Sequence, residues 1–393
     1  MAKVMRLITD VTSPILSGRE ISSPPPPKAL AISAQMRFAL CATLLLCAAG
    51  GCSVKQKVRT IWAVEAGSKV HSVDSRSLTA MSDGSFVVVG GETLQNLRAW
   101  AARVESSGQV RWEFLDKAGS DSRDNRFFDA VELPGGVTML CGVKTIDSKP
   151  TAFIDRVNAR GELLEEHLLK PVEEGYAGSI RCFRWRDGVA LSIGLGRILR
   201  PTGWLIKVDI EGKVQWDKYG DLYRGVDGEV TPGDQLWLLS NEGDGLALKT
   251  FDSDGNLLRQ STVAVPDGAL RLVHALPPLI NQIMVTTDEE SILLTLAADS
   301  LSPPHTTSLK NVFAHKAYEL TDGTVAIFGN ERRRGATASI TRVLKSGERQ
   351  SYVFEPLYAS QWIVDAAPAT GVNEFVTIRQ IGPNSVISRI VLE

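Results

Sequence analysis

The stretch WLIKVDIEGKVQW, residues 204–216, contains the pattern that decides the fold of this 393-residue chain. An apolar run ends in Lys-Val-Asp, a glycine follows after two further residues, and an alternating segment then ends in tryptophan. Runs of this kind are typical of β-strands, and a glycine between two of them indicates a tight turn with a positive φ. The stretch therefore predicts a β-hairpin that turns at Gly212.

The same hairpin recurs along the chain. Its turn glycines Gly108, Gly161, Gly212 and Gly255 are 53, 51 and 43 residues apart, and the 92 residues from Gly255 to Gly347 leave room for two further copies. Each copy follows another hairpin that often turns at Asp-Gly, as in MSDGSFVVVG, residues 81–90. One repeat therefore comprises four strands in about 40–50 residues, a length typical of a propeller blade.

Counting the strands predicts how the ring closes. The first strands of the repeats lie near residues 73–81, 126–132, 180–186, 226–231, 270–276, 313–320 and 361–367. The chain ends after the third strand of the seventh repeat, and the segment VRTIW, residues 58–62, resembles the fourth strand QVRW, residues 109–112. We expect the N-terminal strand to complete the last blade. The prediction is an all-β, seven-bladed β-propeller of four-stranded antiparallel blades over residues 58–393, with six or eight blades as alternatives.

The N-terminal segment has the features of a targeting signal. Residues 1–35 show no hydrophobic period and include four consecutive prolines, so we interpret them as an unstructured leader, with Met36 as the alternative start. Residues 36–51 combine one arginine, a short apolar run and small residues before Cys52. This pattern predicts a signal peptide that is too short to span a bilayer. Residues 52–57 would then be a tether.

Cys52 resembles the lipobox cysteine of bacterial lipoproteins, whose thiol carries a diacylglyceryl group and whose amine is acylated, commonly with palmitate. More than one acyl chain is needed for stable anchoring, and this modification supplies it. Ser53 follows the cysteine where Asp would mark inner-membrane retention. The expected location is therefore the outer membrane, facing the periplasm, rather than the inner membrane or the cell surface. An ordinary cleaved signal, with Cys52 unmodified, is the alternative.

Charge and cysteine usage describe the region that follows the signal. It contains 38 Lys and Arg against 43 Asp and Glu, which gives a net charge of −5. This balance lacks the basic surplus that nucleic-acid binding requires. Cys141 and Cys182 each lie in an apolar strand pattern. We expect two buried thiols, with a disulfide as the alternative.

The sequence contains few signs of catalytic chemistry. Its five histidines form no i, i+4 pair, and neither a G-x-S-x-G elbow nor a P-loop is present. The segment DSDGN, residues 252–256, has the acidic spacing of a calcium loop, but it lacks the downstream glutamate and coincides with a hairpin turn. Adjacent carboxylates such as Glu289 and Glu290 are interpreted as solvated charge. We expect no catalytic residue, no metal and no cofactor, and therefore no enzyme activity.

One face of the predicted propeller carries the long loops, and we call it the long-loop face. It bears the connections from second to third strands and from fourth strands to the next blade. Variable loops on a rigid scaffold are where binding residues concentrate, and arginine supplies bidentate contacts. The candidate partner-binding residues there are Arg197, Arg200, Arg332, Arg333, Arg334, Glu173 and Glu174. Solvated loops without a partner are the alternative reading.

These observations predict a lipid-anchored cell-envelope protein that acts as a non-catalytic protein-interaction scaffold through the long-loop face. Its expected partners are the membrane, through the lipid, and an envelope protein. The alternative is an envelope hydrolase or carbohydrate-binding protein with a site at the propeller mouth.

The repeat at residues 204–216 resembles those of secreted bacterial propellers. It is similar to the tryptophan-docking repeats of quinoprotein-like propellers, in which tryptophan follows the turn glycine by four residues, as Trp112 and Trp216 do. The layout of residues 52–393 also resembles the propeller lipoprotein of the outer-membrane barrel-assembly machine, which implies an anchored, non-enzymatic assembly role. That family typically has eight blades and Thr-Gly turns, whereas this chain shows seven repeats. Quinone chemistry is not expected, because no two cysteines are adjacent.

Overall fold

Twenty-nine β-strands and one 3-10 turn, Pro134–Gly136, form the secondary structure of the described residues in the computed structural model. The structure describes residues 56–392, except for 68–71, 94–97, 117–124, 148, 172–176, 198–199, 221–222, 224, 226, 232, 243–244, 265–269, 276–281, 288–289, 296–304, 332–336 and 355–360. Within these ranges no helix has the length and apolar character needed to cross a membrane. The predicted leader, signal peptide and Cys52 lie outside the described residues.

Five sheets each consist of four consecutive antiparallel strands, as the repeat predicts. Blade 1 is β3–β6 (Val73–Ala80, Phe86–Glu92, Ala99–Val104, Val110–Leu115), and blade 2 is β7–β10 (Arg126–Glu132, Thr138–Ile146, Lys149–Val157, Leu163–Pro171). Blade 3 is β11–β14 (Ala177–Trp185, Gly188–Arg197, Arg200–Asp209, Val214–Gly220), and blade 4 is β15–β18 (Asp227–Val230, Leu236–Glu242, Gly245–Phe251, Leu257–Ala264). Blade 5 is β19–β22 (Leu270–Ala275, Gln282–Thr287, Glu290–Thr295, His305–Lys310).

The last two blades include strands from the N-terminal end. Blade 7 is β27–β29 (Gln361–Pro368, Glu374–Ile381, Asn384–Val391), with β2 (Arg59–Glu65) antiparallel to β29 as its fourth strand. Blade 6 is β23–β26 (Val312–Glu319, Val325–Glu331, Thr337–Val343, Arg349–Val353), with β1 (Gln56–Lys57) added parallel to β26. The seven-bladed propeller and its closure by the N-terminal strand are therefore confirmed. The parallel strand β1 was not part of the prediction.

The turn glycines are explained by the side chains that cover them from the preceding blade. Trp62 of blade 7 packs on the turn of blade 1, and its indole Nε1 donates a hydrogen bond to the Ser106 carbonyl (2.9 Å). Gly108 in this turn has φ +92°, and a Cβ there would lie 2.8 Å from the Trp62 ring. The position therefore requires glycine for its backbone and for the ring's approach. The same packing joins Trp112 to Gly161, His167 to Gly212 and Trp216 to Gly255.

An ionic clamp explains why Asp-Gly turns recur with a basic residue at the end of the third strand. In blade 1, Arg103 is buried, and its Nη2 lies 3.0 Å from Asp83 Oδ2 while its Nε donates to Ser85 Oγ (2.8 Å). The clamp ties the first hairpin turn of the blade to its third strand. Blades 6 and 3 repeat it with the pairs Asp322–Arg342 and Asp187–Lys207.

A disulfide joins Cys141 of β8 to Cys182 of β11, with their Cα atoms 6.7 Å apart. The expectation of two separate thiols is therefore wrong. The apolar strand patterns predicted the burial of both residues but not that the two strands meet. They meet because the apolar core of the propeller lies between neighbouring blades, and this pair lies within the core between blades 2 and 3.

Candidate functional site: the central channel and its mouth

The first strands of the seven blades contact one another around the ring, so their side chains line the central channel. Several of these side chains carry charge although the channel is largely shielded from solvent. Arg181 of β11 experiences the charges of Asp129, Asp227 and Asp365. Burial lowers the pKa of Arg181, and these three carboxylates outweigh that effect and raise it. The channel is therefore lined by a mixed, mutually compensating set of charges.

Asp129 joins three blades through its carboxylate. Its Oδ1 accepts hydrogen bonds from Ala130 N (2.9 Å) and from Ser77 Oγ of blade 1 (3.1 Å). Its Oδ2 accepts from Cys182 N of blade 3 (3.0 Å). Burial raises the pKa of Asp129, while the charge of Arg181 opposes the rise. Both oxygens are therefore engaged within the protein.

Asp365 repeats this arrangement where the ring closes. Its Oδ1 accepts from Ala366 N (2.8 Å), its Oδ2 accepts from Leu78 N (2.9 Å) of blade 1, and Ser77 Oγ, 3.3 Å from Oδ2, shares its one proton between Asp365 and Asp129. An irregularity in strand register immediately precedes both Asp365 and Asp129. Such bulges re-aim a side chain. Here they direct the carboxylates toward the inner strand of the next blade.

Two further titratable groups of the channel have raised pKa values. Burial is the main cause for Tyr318, whose pKa also rises because Asp365 and Asp227 are near. Its hydroxyl donates to the Ala366 carbonyl (2.6 Å). Burial and the charge of Asp227 raise the pKa of Glu229 as well, and Lys316 opposes the rise. Tyr318 is therefore uncharged near neutral pH and links blades 6 and 7.

A cavity of about 410 Å³ opens where the inner strands begin, which is on the long-loop face. We call it the mouth cavity. Its walls come from blades 7, 1, 6 and 3. The lining residues are Asp74, Ser75, Arg76, Arg181, His315, Trp362, Ile363, Val364, Asp365 and Gln380.

The rim of the mouth cavity combines an aromatic ring with paired charges. Trp362 is 50% exposed, although it is among the largest apolar side chains of the described residues. Arg76 forms an ion pair with Asp74, and Arg126 Nη1 lies 3.6 Å from the same carboxylate. Arg76 remains partly exposed, with 39% of its side chain accessible. The rim therefore offers an apolar surface beside an accessible cation.

His315 is oriented by a buried amide behind the cavity wall. Asn330 Oδ1 accepts a hydrogen bond from Ile363 N (2.9 Å), which directs the amide nitrogen of Asn330 toward His315 Nε2 at 2.8 Å. Because an amide nitrogen can only donate, Nε2 accepts and the proton of the neutral ring resides on Nδ1. The geometry thus assigns one tautomer of His315.

The structure locates only part of the predicted partner-binding set. Arg197 ends β12 and pairs in register with Arg200 at the start of β13, so both belong to a second-to-third-strand hairpin of the long-loop face. Nothing is described of their side chains. The remaining five candidates lie outside the described residues, namely Glu173, Glu174, Arg332, Arg333 and Arg334.

Sequence reasoning missed the residues that form the mouth cavity. Trp362, Arg76 and Asp74 lie near the start of first strands, whereas the prediction concentrated on loops. A usable signal was present, because Asp129 and Asp365 interrupt apolar runs within their first strands, residues 127–131 and 362–367. Their recurrence in several repeats indicates a common inward position.

Three carboxylates away from the channel could hold a metal ion. The ligand atoms of Asp116, Asp155 and Glu166 lie within 4.8 Å of one another, and no other such group of three occurs in the part of the chain that the structure describes. Asp116 follows blade 1, and the other two residues belong to blade 2. The group therefore lies at a blade interface, separate from the residues that line the mouth cavity.

Comparison with known proteins supports the fold and nothing finer. No protein-family profile matches the chain, and no curated protein matches it in sequence. A catalytically inactive virginiamycin B lyase from Staphylococcus aureus, solved with quinupristin, is similar in structure with a TM-score of 0.51 and 10% identity, covering 84% of this chain and 99% of the lyase. The propeller of Dos1 is similar with a TM-score of 0.50 and 9% identity, covering 84% and 94%.

Proposed function

We propose that the protein is a lipid-anchored, non-catalytic binding protein of the cell envelope that docks a partner protein on its long-loop face. The observation that carries the proposal is the half-exposed Trp362 at the rim of the mouth cavity, beside Arg76. Tryptophan and arginine at the edge of a concave site are the residue types that dominate binding energy in protein interfaces. The mouth cavity would anchor the partner, and the surrounding loops would complete the contact.

The hydrogen bonding of the channel carboxylates supports a non-catalytic role. A general acid or base must reach the substrate with a free carboxylate oxygen or proton. Asp129 and Asp365 instead use both oxygens to accept backbone N–H groups of neighbouring residues and blades. They are better suited to holding the ring together than to proton transfer.

The disulfide supports a location outside the cytoplasm, because structural disulfides persist in oxidising compartments such as the periplasm. The lipid anchor itself rests on the sequence around Cys52. The variant Cys52→Ala should lose palmitate labelling and appear in the soluble fraction. Labelling that persists in this variant would contradict the anchor without affecting the docking proposal.

Site-specific photo-crosslinking tests the docking face. A photo-reactive residue would replace Gln380, which lines the mouth cavity with Trp362, in one variant and Val372 in another. Val372 is 73% exposed and lies in the turn between β27 and β28, on the opposite face, so it is a matched control within the same blade. We expect one envelope protein to be captured from position 380 and not from 372. Capture from both positions, or from neither, contradicts the proposal.

A carbohydrate-binding role is the competing candidate, and the same rim favours it. Trp362 lies with Asp74 and Gln380 around the mouth cavity, and an aromatic ring with polar groups beside it also suits a sugar. Titration with soluble envelope glycans, followed by tryptophan fluorescence, distinguishes the two. Saturable quenching that disappears in Trp362→Ala would favour the sugar. An enzymatic version would further require turnover of the glycan.

A further inference from the structure

A buried ionic cluster lies between blades 1 and 2. Lys144 of β8 pairs with two carboxylates. Its Nζ lies 3.1 Å from Oδ2 of Asp116, the residue that follows β6, and 2.6 Å from Oε2 of Glu166 on β10. The same ammonium group lies 4.0 Å from the centre of the Phe153 ring. Asp155 of β9 contributes the third carboxylate of the group. One cation therefore faces three carboxylates.

Asp155 is the member of this cluster to which no described residue donates a hydrogen bond. Its side chain is fully buried (0% exposed), and neither carboxylate oxygen has a hydrogen-bond partner among the described residues. Buried carboxylates are normally hydrogen-bonded or paired, because an isolated buried charge is costly. Asp155 is therefore a buried acceptor to which the described residues donate no hydrogen bond.

The charge of the cluster indicates what that group is. In the ion-bound state, in which all three carboxylates are ionised, they and the one ammonium carry a net charge of −2, which one divalent cation neutralises. The available ligand atoms are all oxygens. Hard cations such as Ca²⁺ and Mg²⁺ prefer such ligands, whereas Zn²⁺, Cu²⁺ and Ni²⁺ favour ligand sets that include imidazole or thiolate. Ca²⁺ accepts irregular geometry and six to eight oxygens, so it suits a site that water must complete.

We propose that Asp116, Asp155 and Glu166 bind one calcium ion at the interface of blades 1 and 2. Glu166 is partly exposed, with 33% of its side chain accessible, and provides the route for the ion. Lys144 remains above the Phe153 ring as a second cation. Because its ligands come from both blades, the ion cross-links them.

The experiment uses the full chain after treatment with EDTA. Isothermal titration with CaCl₂ should show one site per chain with a Kd on the order of 10⁻⁴–10⁻³ M, the range of calcium sites in extracellular modules. Calcium at about ten times this Kd should raise Tm by about 2 °C. Absence of heat and of any Tm shift in millimolar CaCl₂ would overturn the proposal.

Two variants locate the bound ion. Asp155→Asn should abolish the titration and the calcium-dependent Tm shift. The matched control is Asp254→Asn, which removes a carboxylate from the exposed turn at residues 252–256, the other segment with calcium-like spacing. It should bind like the unmodified protein. Binding that survives Asp155→Asn and disappears in Asp254→Asn assigns the ion to the turn and overturns the proposal.

A third variant keeps the test informative should Asp155→Asn fail to fold. Glu166 lies at the exposed edge of the cluster, so Glu166→Gln keeps Asp116 and Asp155 but removes the ion pair with Lys144. We expect its Kd for calcium to rise about tenfold or more, and its calcium-dependent Tm shift is compared with its own Tm in EDTA, which the loss of the ion pair lowers. An unchanged Kd would contradict the assigned ligand set.

Discussion

Asp129 and Asp155 belong to the same blade and are both buried, yet their carboxylates meet opposite surroundings. Asp129 accepts three hydrogen bonds from residues of blades 1, 2 and 3. Asp155 accepts none among the described residues. The difference follows from where each residue lies in the sheet. β7 is the innermost strand and has one edge without a sheet neighbour, whereas β9 is paired on both sides by β8 and β10.

This comparison shows what a buried carboxylate needs. An edge strand leaves N–H groups that the ladder does not use, and in the channel these groups bind Asp129 and Asp365. In a central strand the backbone N–H groups already donate to neighbouring strands, so a buried carboxylate there needs a hydrogen-bond donor or a cation from elsewhere. The two positions are therefore expected to respond in opposite directions to the loss of charge.

The largest loss of stability should come from removing the disulfide, which joins blades 2 and 3 as the hydrogen bond from Cys182 N to Asp129 also does. The cross-link closes a loop with a sequence separation of 41 residues. Replacing both Cys141 and Cys182 by Ala should cost about 4 kcal/mol of unfolding free energy by the chain-entropy relation. Urea denaturation measures it. A cost below about 1 kcal/mol would show that the covalent link adds little to the packing.

The second-largest loss of stability is expected when the channel carboxylate Asp365 is replaced. In Asp365→Asn, Leu78 N, Ser77 Oγ and Ala366 N lose a charged acceptor at the closure of the ring. We expect a loss of about 3 kcal/mol. Asp129→Asn should cost less, because the disulfide still joins blades 2 and 3, and the two costs should become equal when the disulfide is reduced. An equal cost before reduction would show that the disulfide and Asp129 act independently.

Asp155→Asn should change the unfolding free energy in the opposite direction from Asp365→Asn. Without calcium, the variant removes a buried carboxylate that has no hydrogen-bond partner among the described residues, so we expect the unfolding free energy to rise by about 1 kcal/mol. Thermal unfolding in EDTA measures this change. Destabilisation of the size expected for Asp365→Asn would show that Asp155 has a partner of the same quality as the channel carboxylates.

The smallest effect concerns the ionic clamps and depends on pH. Hydrogen bonds from Thr324 hold the pKa of Asp322 below its ordinary value, with Arg342 assisting. Since the pKa is lower in the folded state, the clamp stabilises the protein above about pH 4, and this contribution is lost as the pH falls below it. Asp322→Asn should cost less than about 1 kcal/mol at pH 7, because the pair is partly exposed. Denaturation at pH 7 and pH 2.5 tests this, and the difference between variant and unmodified protein should be smaller at the lower pH.

The sequence predicted the fold more fully than the site because the two depend on different distances along the chain. The turn glycines Gly108 and Gly212 mark hairpins between adjacent strands, so their spacing shows in a local pattern. Trp362 and Arg76 come together only across the ring closure, and the local pattern around each one is that of an ordinary strand. The arginine-rich loops remain predictions, since Arg332–Arg334 lie outside the described residues.

The sequence by itself determined the seven repeats, the four-stranded unit and the closure of the ring by the N-terminal strand, because hairpin pairing is local and repeats with a readable period. The tertiary structure decided which side chains meet between blades. It pairs Cys141 with Cys182, engages Asp129 with the backbone of blade 3 and leaves Asp155 beside Asp116. Radial packing sets these contacts between residues about 40–50 positions apart, and no pattern within a single repeat encodes them.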